Sequence, residues 1–224
     1  MKIIITESQY KLIFENEETE ENKLLGKIMY LIESFDETNI DMAFEIAKGF
    51  KIKQSTILEN YEELFKLFKY KPYVINLKKI TKKTILNVYD NLSKTTIDLI
   101  FKLPNLKTIH FFRLNDGDLD ELVSTNKNII IYSNCKITSI PDLTSVDGLF
   151  KLNHVNIKSL PELKEVGTLE LLGSKIESLP NLISVGRNLG LQYTPLGKEL
   201  KDSGMSEDEI KNKFGVKGKL FIWK

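Results

Sequence analysis

Residues Ile137–Leu143 read ITSIPDL, Ile157–Leu163 read IKSLPEL and Ile176–Leu182 read IESLPNL. One pattern, I-x-S-[LI]-P-x-L, therefore occurs three times, at steps of 20 and 19 residues, and Leu103-Pro104-Asn105-Leu106 is a fourth, partial copy. Val146, Val166 and Val185 follow the three full copies, the last two as Val-Gly. Self-similarity at a fixed short period is the mark of a coil that stacks one turn on the next. Each turn supplies one short strand, one tight corner and one extended return, and proline sits where the return needs no backbone donor. A single turn cannot bury its own apolar face, so about three or more must stack to be stable.

Working outward, an apolar-x-apolar pair precedes each copy: Phe112/Leu114, Ile130/Tyr132, Phe150/Leu152, Leu169/Leu171 and Leu189/Leu191. The apolar residues that follow them five positions on are Leu119, Ile137, Ile157, Ile176 and Leu196. The second members of the pairs are spaced by 18, 20, 19 and 20 residues. Upstream, Ile85–Tyr89 and Val74–Leu77 read as earlier strands, with Thr95–Leu103 as a helical return between them and the regular coils. Downstream, Ser206-Glu207-Asp208-Glu209 reads as a cap opening a helix through Ile210 and Phe214. A last strand at Leu220–Ile222 would put Leu220 and Ile222 in the paired positions. A helix-containing final turn covers the open end that any solenoid has.

Residues 104–222 resemble a leucine-rich-repeat protein of the short, LP-containing bacterial and bacteriophage type. The strand consensus L-x-L-x-x-x-x-I is present, but the slots for the family's asparagine ladder hold Cys135, Val155 and Ser174. The resemblance implies a non-catalytic protein-binding module that uses its strand face. The opening MKIIITESQYKLI is similar to openings found in tailed-bacteriophage proteins, and implies an alternative role as a structural or assembly component of a phage particle. The stretch Phe35–Gly49 is similar to helical segments that precede such repeats in bacterial proteins.

The first part of the chain changes period. A short β-like Lys2–Thr6 leads to a helix through Tyr10 and Phe14, then to an acidic run, Glu15–Glu21. Leu24, Leu25, Ile28, Leu31 and Ile32 follow the i, i+3, i+4 spacing of an amphipathic helix. Phe35–Asn39 stops it and caps a second helix carrying Ile40, Met42, Ala43, Ile46 and Ala47, with Gly49 as its left-handed stop. A third, Ser55–Tyr70, is closed by Pro72. The expected fold is α+β: a helical N-terminal region over residues 1–71, followed by a leucine-rich-repeat-like solenoid with a short parallel sheet and a helical C-terminal cap over 72–224.

Composition excludes several classes of function. A net charge of +1 and only two arginines, Arg113 and Arg187, argue against nucleic-acid recognition. The single cysteine, Cys135, excludes an internal disulfide and a cysteine-built metal site. No run of about 18 apolar residues occurs, so no transmembrane helix is expected, and MKIIITESQ lacks the marks of a signal peptide. The expected location is the cytoplasm of a bacterial or phage-infected cell, with the virion as the alternative. His110 and His154 fall in different turns and make no metal or catalytic pair. Asn115–Asp120 fails the spacing of a calcium loop. No phosphate-loop, dinucleotide, zinc-protease or nucleophile-elbow motif is present. The expectation is no enzyme and no cofactor.

If the strands alternate, the residues between the paired positions face outward. That column reads Arg113, Ile131, Lys151, Glu170, Gly190 and Phe221. Its neighbour reads Asn115, Ser133, Asn153, Leu172, Gln192 and Trp223, flanked by Phe111, Thr168 and Asn188. From these, Phe111, Arg113, Lys151, Glu170, Leu172, Gln192, Phe221 and Trp223 are the expected contacts with a protein partner, because aromatic, apolar and arginine side chains dominate interface cores. The alternative for Phe221 and Trp223 is packing against the helix at Ser206–Phe214.

Overall fold

The computed structural model describes residues 20–222. The strand and helix expected within residues 2–14, the phage-like opening and Trp223 lie outside these residues. The described residues form two compact units, one reaching Lys82 and including Asp98–Pro104, the other Lys83–Ile97 with the described residues from Asn105 on.

The first unit is helical. Helix α1 (Glu20–Glu33) buries Ile28 and Ile32, one turn apart on one face. Asp36 caps α2 (Glu37–Gly49), its carboxylate accepting from the amides of Thr38 and Asn39 at 2.9 and 3.0 Å. Helix α2 buries Ile40, Ala43, Phe44 and Ala47, spaced i, i+3, i+4, i+7. Gly49 is not its left-handed stop: the helix runs through it, and Lys51 takes the positive φ of 60°.

The helix expected over Ser55–Tyr70 is broken into α3 (Gln54–Leu58), a 3-10 turn (Glu59–Tyr61) and α4 (Glu62–Leu67). The side-chain amide of Asn60 donates to the carbonyls of Thr56 and Ile57 at the break. Val74–Leu77, expected as a strand, forms the start of helix α5 (Val74–Thr81). Leu77, Ile80 and Thr81 are its buried residues, and that 3.6-residue period overrides the strand preference of Val74 and Ile75.

The second unit is a solenoid with helices and a parallel sheet. Its strands are β1 (Ile85–Val88), β2 (Thr108–Phe111), β3 (Ser124–Thr125), β4 (Asn128–Ile131), β5 (Ser145–Leu152), β6 (Glu165–Glu170), β7 (Ser184–Val185), β8 (Leu189–Gly190) and β9 (Leu220–Phe221). The main path runs β1-β2-β4-β5-β6-β8-β9, every pairing parallel. Helix α6 (Lys94–Lys102) connects β1 to β2.

The register fixes which residues line the core. Leu86, Ile109, Ile129, Phe150, Leu169, Leu189 and Leu220 stand in one row, each opposite the next. Val88, Phe111, Ile131 and Leu152 form the next, all with 0–1% exposure. The inward pairs of the first two regular turns are thus Ile109/Phe111 and Ile129/Ile131, not Phe112/Leu114 and Ile130/Tyr132. The shift is three residues in the first of these turns and one in the second, and any odd shift exchanges the two faces of a strand, although Leu114 and Ile130 are still buried at 2 and 8% exposure. Pairs from Phe150/Leu152 onward stand as expected.

The repeated heptads make the return wall. Ile137, Ile157 and Ile176 are fully buried, as are Leu143 and Leu163, and Ile140, Leu160, Leu179 and Leu182 nearly so. Fully burying one such side chain contributes about 1.5–3 kcal/mol. Thr125, Val146, Val166 and Val185 pair in a second narrow strip, completed by a bridge from Val185 to Val216. Where that strip meets the main strands, a Cβ on Gly167 would collide with the carbonyl oxygen of Asp147.

The corner column reads Cys135, Val155, Ser174 and Thr194, all buried. The Cys135 thiol donates to the Phe111 carbonyl of the preceding turn at 3.3 Å. Ser174 and Thr194 hydroxyls donate to Leu171 and Leu191 carbonyls at 2.9 and 2.8 Å, closing their own corners. The last turn holds two helices. Thr194 caps α7 (Pro195–Asp202), which begins on proline, and Ser206 with Glu209 makes a capping box on α8 (Glu207–Lys213).

Candidate partner-binding face

Two outward columns follow from the register. The one between the core rows reads Asn87, His110, Ile130, Lys151, Glu170, Gly190 and Phe221. The position just past the second core row reads Tyr89, Phe112, Tyr132, Asn153, Leu172 and Gln192. Backbone pairing holds it in line: the amides of Phe112, Tyr132 and Asn153 donate to the carbonyls of Val88, Phe111 and Ile131 at 2.9–3.1 Å.

Strands in a sheet lie about 4.8 Å apart. Aromatic rings at one register position are therefore brought to stacking distance. The ring centroids of Tyr89 and Phe112 lie 4.6 Å apart with 14° between planes, and those of Phe112 and Tyr132 lie 4.4 Å apart with 5°. His110 lies nearly parallel to both Phe112 and Tyr132, 6.5 and 6.1 Å away, and its Nδ1 is 3.2 Å from the Tyr132 hydroxyl. Burial holds the His110 imidazole below its ordinary pKa. Tyr89 is 57% exposed at the end of the stack.

Two expected contacts are joined directly. Lys151 and Glu170 stand opposite each other in the β5–β6 register, and Lys151 Nζ reaches Glu170 Oε2 at 2.6 Å. Leu172 and Gln192 lie half-buried farther along the same face. Phe221 is 40% exposed, beside Glu207, Leu220 and Ile222. Phe111 is overturned as a surface contact: it is fully buried in the second core row. Ile131, expected in the outward column, is fully buried for the same reason of register. Arg113 is exposed but lies past the end of β2, not on the strand face.

Tyr89, Phe112, Tyr132 and His110 escaped the sequence reading. Their signal is present in the sequence, since Tyr89, Phe112 and Tyr132 each directly follow an inward pair and His110 lies within one, but the slipped register puts Phe112 and Tyr132 inside.

Arg113 instead lines a hollow of about 410 Å³ with Asn91, Leu114, Asn115, Asn134 and Lys136. These residues follow β1, β2 and β4, so the hollow sits beyond the carboxyl ends of the strands that carry the aromatic stack. Nearby, Asp116 accepts from the amide and hydroxyl of Thr138 at 2.9 and 2.7 Å, bonds that hold its carboxyl below the usual range.

Burial pushes the Cys135 thiol up to about 11. Among the described residues no group of three or more His, Cys, Asp or Glu is placed to hold a metal ion, and no helix is long and apolar enough to cross a membrane. No family model, curated protein or solved structure matches the chain.

Proposed function

We propose that this chain is a non-catalytic protein-binding module that engages its partner along the outward face of the main strands, and that its solenoid is a leucine-rich-repeat variant. The repeat-family reading rests on the LP-containing returns and on the strand pairs from Phe150/Leu152 onward. The observation that carries the function is the ordered aromatic stack Tyr89–Phe112–Tyr132 on that face. Large aromatic side chains held rigid by their neighbours give contact area at little entropic cost, which is what interface centres use. Leu172, half-buried farther along the face, extends the apolar part, and the Lys151–Glu170 pair supplies a polar margin.

The faces of the Phe112 ring are covered by its two neighbours, leaving edges for a partner. A nucleobase stacks on a free ring face, which Phe112 at the centre lacks, so this arrangement suits a protein surface better than a strand of bases stacking on each ring in turn. The test is to recover the partner from the native host, then measure its affinity for wild type and for Tyr132→Asp/Leu172→Asp. At least about tenfold weaker binding is expected per folded molecule, with the native far-ultraviolet dichroism kept even though loss of the Tyr132 ring lowers the melt. An unchanged dissociation constant in that variant, with loss on substituting Lys164 and Ile183 of the return wall, would overturn it.

A further inference from the structure

The hollow beside the aromatic stack carries a chemistry the stack does not. Its lining brings together two cations, Arg113 and Lys136, and three carboxamides, Asn91, Asn115 and Asn134. Among the described residues, the Arg113 guanidinium and the Lys136 ammonium have no ion-pair partner, whereas eight other lysines do. Two carboxylates of the same loop are engaged elsewhere: Asp116 accepts from Thr138, and Asp118 accepts from the backbone amide of Asn115 at 2.6 Å. Leu114, 2% exposed, is the one apolar lining residue. A concave site lined by two positive charges focuses field on whatever enters. Guanidinium offers a planar fork that fits a carboxylate bidentately, and each carboxamide adds two N–H donors.

We propose that this hollow binds a carboxylate, carried on an acidic segment of the protein partner as that segment leaves the edge of the aromatic stack. The proposal rests on the strand-face reading for its source of carboxylate, but the site itself is defined by Arg113, Lys136 and the three asparagines. A protein carboxylate is favoured over a nucleic-acid phosphate because the adjoining rings are stacked on one another. Only Arg113 and Lys136 supply positive charge here, too few to track a phosphate backbone.

The test is a titration of the isotope-labelled full chain followed by NMR. The probes are acetate, an N-acetylated and C-amidated tetraglutamate peptide, inorganic phosphate and a ten-residue thymidine oligonucleotide. The expected result is saturable shifts of the Asn91, Asn115 and Asn134 side-chain amides and of Arg113 Nε. The peptide should bind at least fivefold tighter than acetate, and the shifts should vanish in Arg113→Gln/Lys136→Gln. Retained dispersion of the remaining signals shows that this variant is folded, and Arg113→Lys should keep partial affinity. Shifts that persist in the double variant, or that are absent with both carboxylate probes, overturn the site. Tighter binding of acetate than peptide overturns the macromolecular source, and tighter binding of the oligonucleotide overturns the partner class. Since no probe is the partner itself, hollow binding with unaltered partner affinity in Tyr132→Asp/Leu172→Asp would sink the strand-face reading alone.

Discussion

The ring of Tyr132 lies flat against that of Phe112, 4.4 Å between centroids, across a backbone pairing that joins two turns of the solenoid. The contact is a consequence of register: both residues directly follow a buried pair, so the parallel ladder delivers their rings to one line at strand spacing.

Removing the middle ring tests whether the stack is an ordered unit. Phe112→Ala should cost about 1–3 kcal/mol in urea unfolding. The near-ultraviolet dichroism of the two flanking tyrosines should weaken, with the far-ultraviolet spectrum kept. An unchanged near-ultraviolet signal would mean that the rings are not held together in solution.

His110 makes stability depend on acid. Its folded-state pKa lies below the ordinary value of 6.5 because burial disfavours the imidazolium. Between those two values the unfolded chain binds more protons, so stability rises with pH through that window and is lost as pH falls through it. His110→Gln should flatten the slope of the urea midpoint below pH 6.5. An equal slope in both proteins would remove His110 from the account.

Cys135 should be an inert thiol. With its pKa pushed up to about 11 and 3% of its surface exposed, it should react very slowly with a disulfide reagent at pH 8 in the native chain. Reaction should be immediate in denaturant. Fast native labelling would show that the corner column opens.

Two glycines one turn apart should respond differently. A Cβ on Gly167 meets the Asp147 backbone, whereas one on Gly186 meets nothing closer than 3.5 Å. Gly167→Ala should therefore lower stability by about 1–3 kcal/mol, and Gly186→Ala by no more than about 0.5 kcal/mol. Thermal melts of the two variants give the comparison directly.

The solenoid was legible because the three LP-containing heptads fix which residues turn inward. Ile137, Ile157 and Ile176 could sit nowhere but in the core of a stack. The first two turns were misread because they lack that anchor. Ile129-Ile130-Ile131-Tyr132 is a continuous apolar run that accepts either alternation, and only pairing against Phe150 and Leu152 decides the phase. The same ambiguity in Phe111-Phe112 makes the buried ring read as a surface contact and the half-buried ring of the stack read as core. Helix α7 was missed although Thr194-Pro195 is an ordinary helix start, because Leu196 already fitted the repeat. Asn60 broke an otherwise regular helical period, a local competition that apolar spacing does not register.

The most direct test of the strand face as the binding surface is photo-crosslinking inside the native host. A benzophenone amino acid would be placed in turn at Tyr132 and Leu172, and at Lys164 and Ile183 on the return wall. One shared crosslinked protein is expected from the two strand-face positions and none from the return wall. The same product from all four positions, or from the return wall alone, would contradict it.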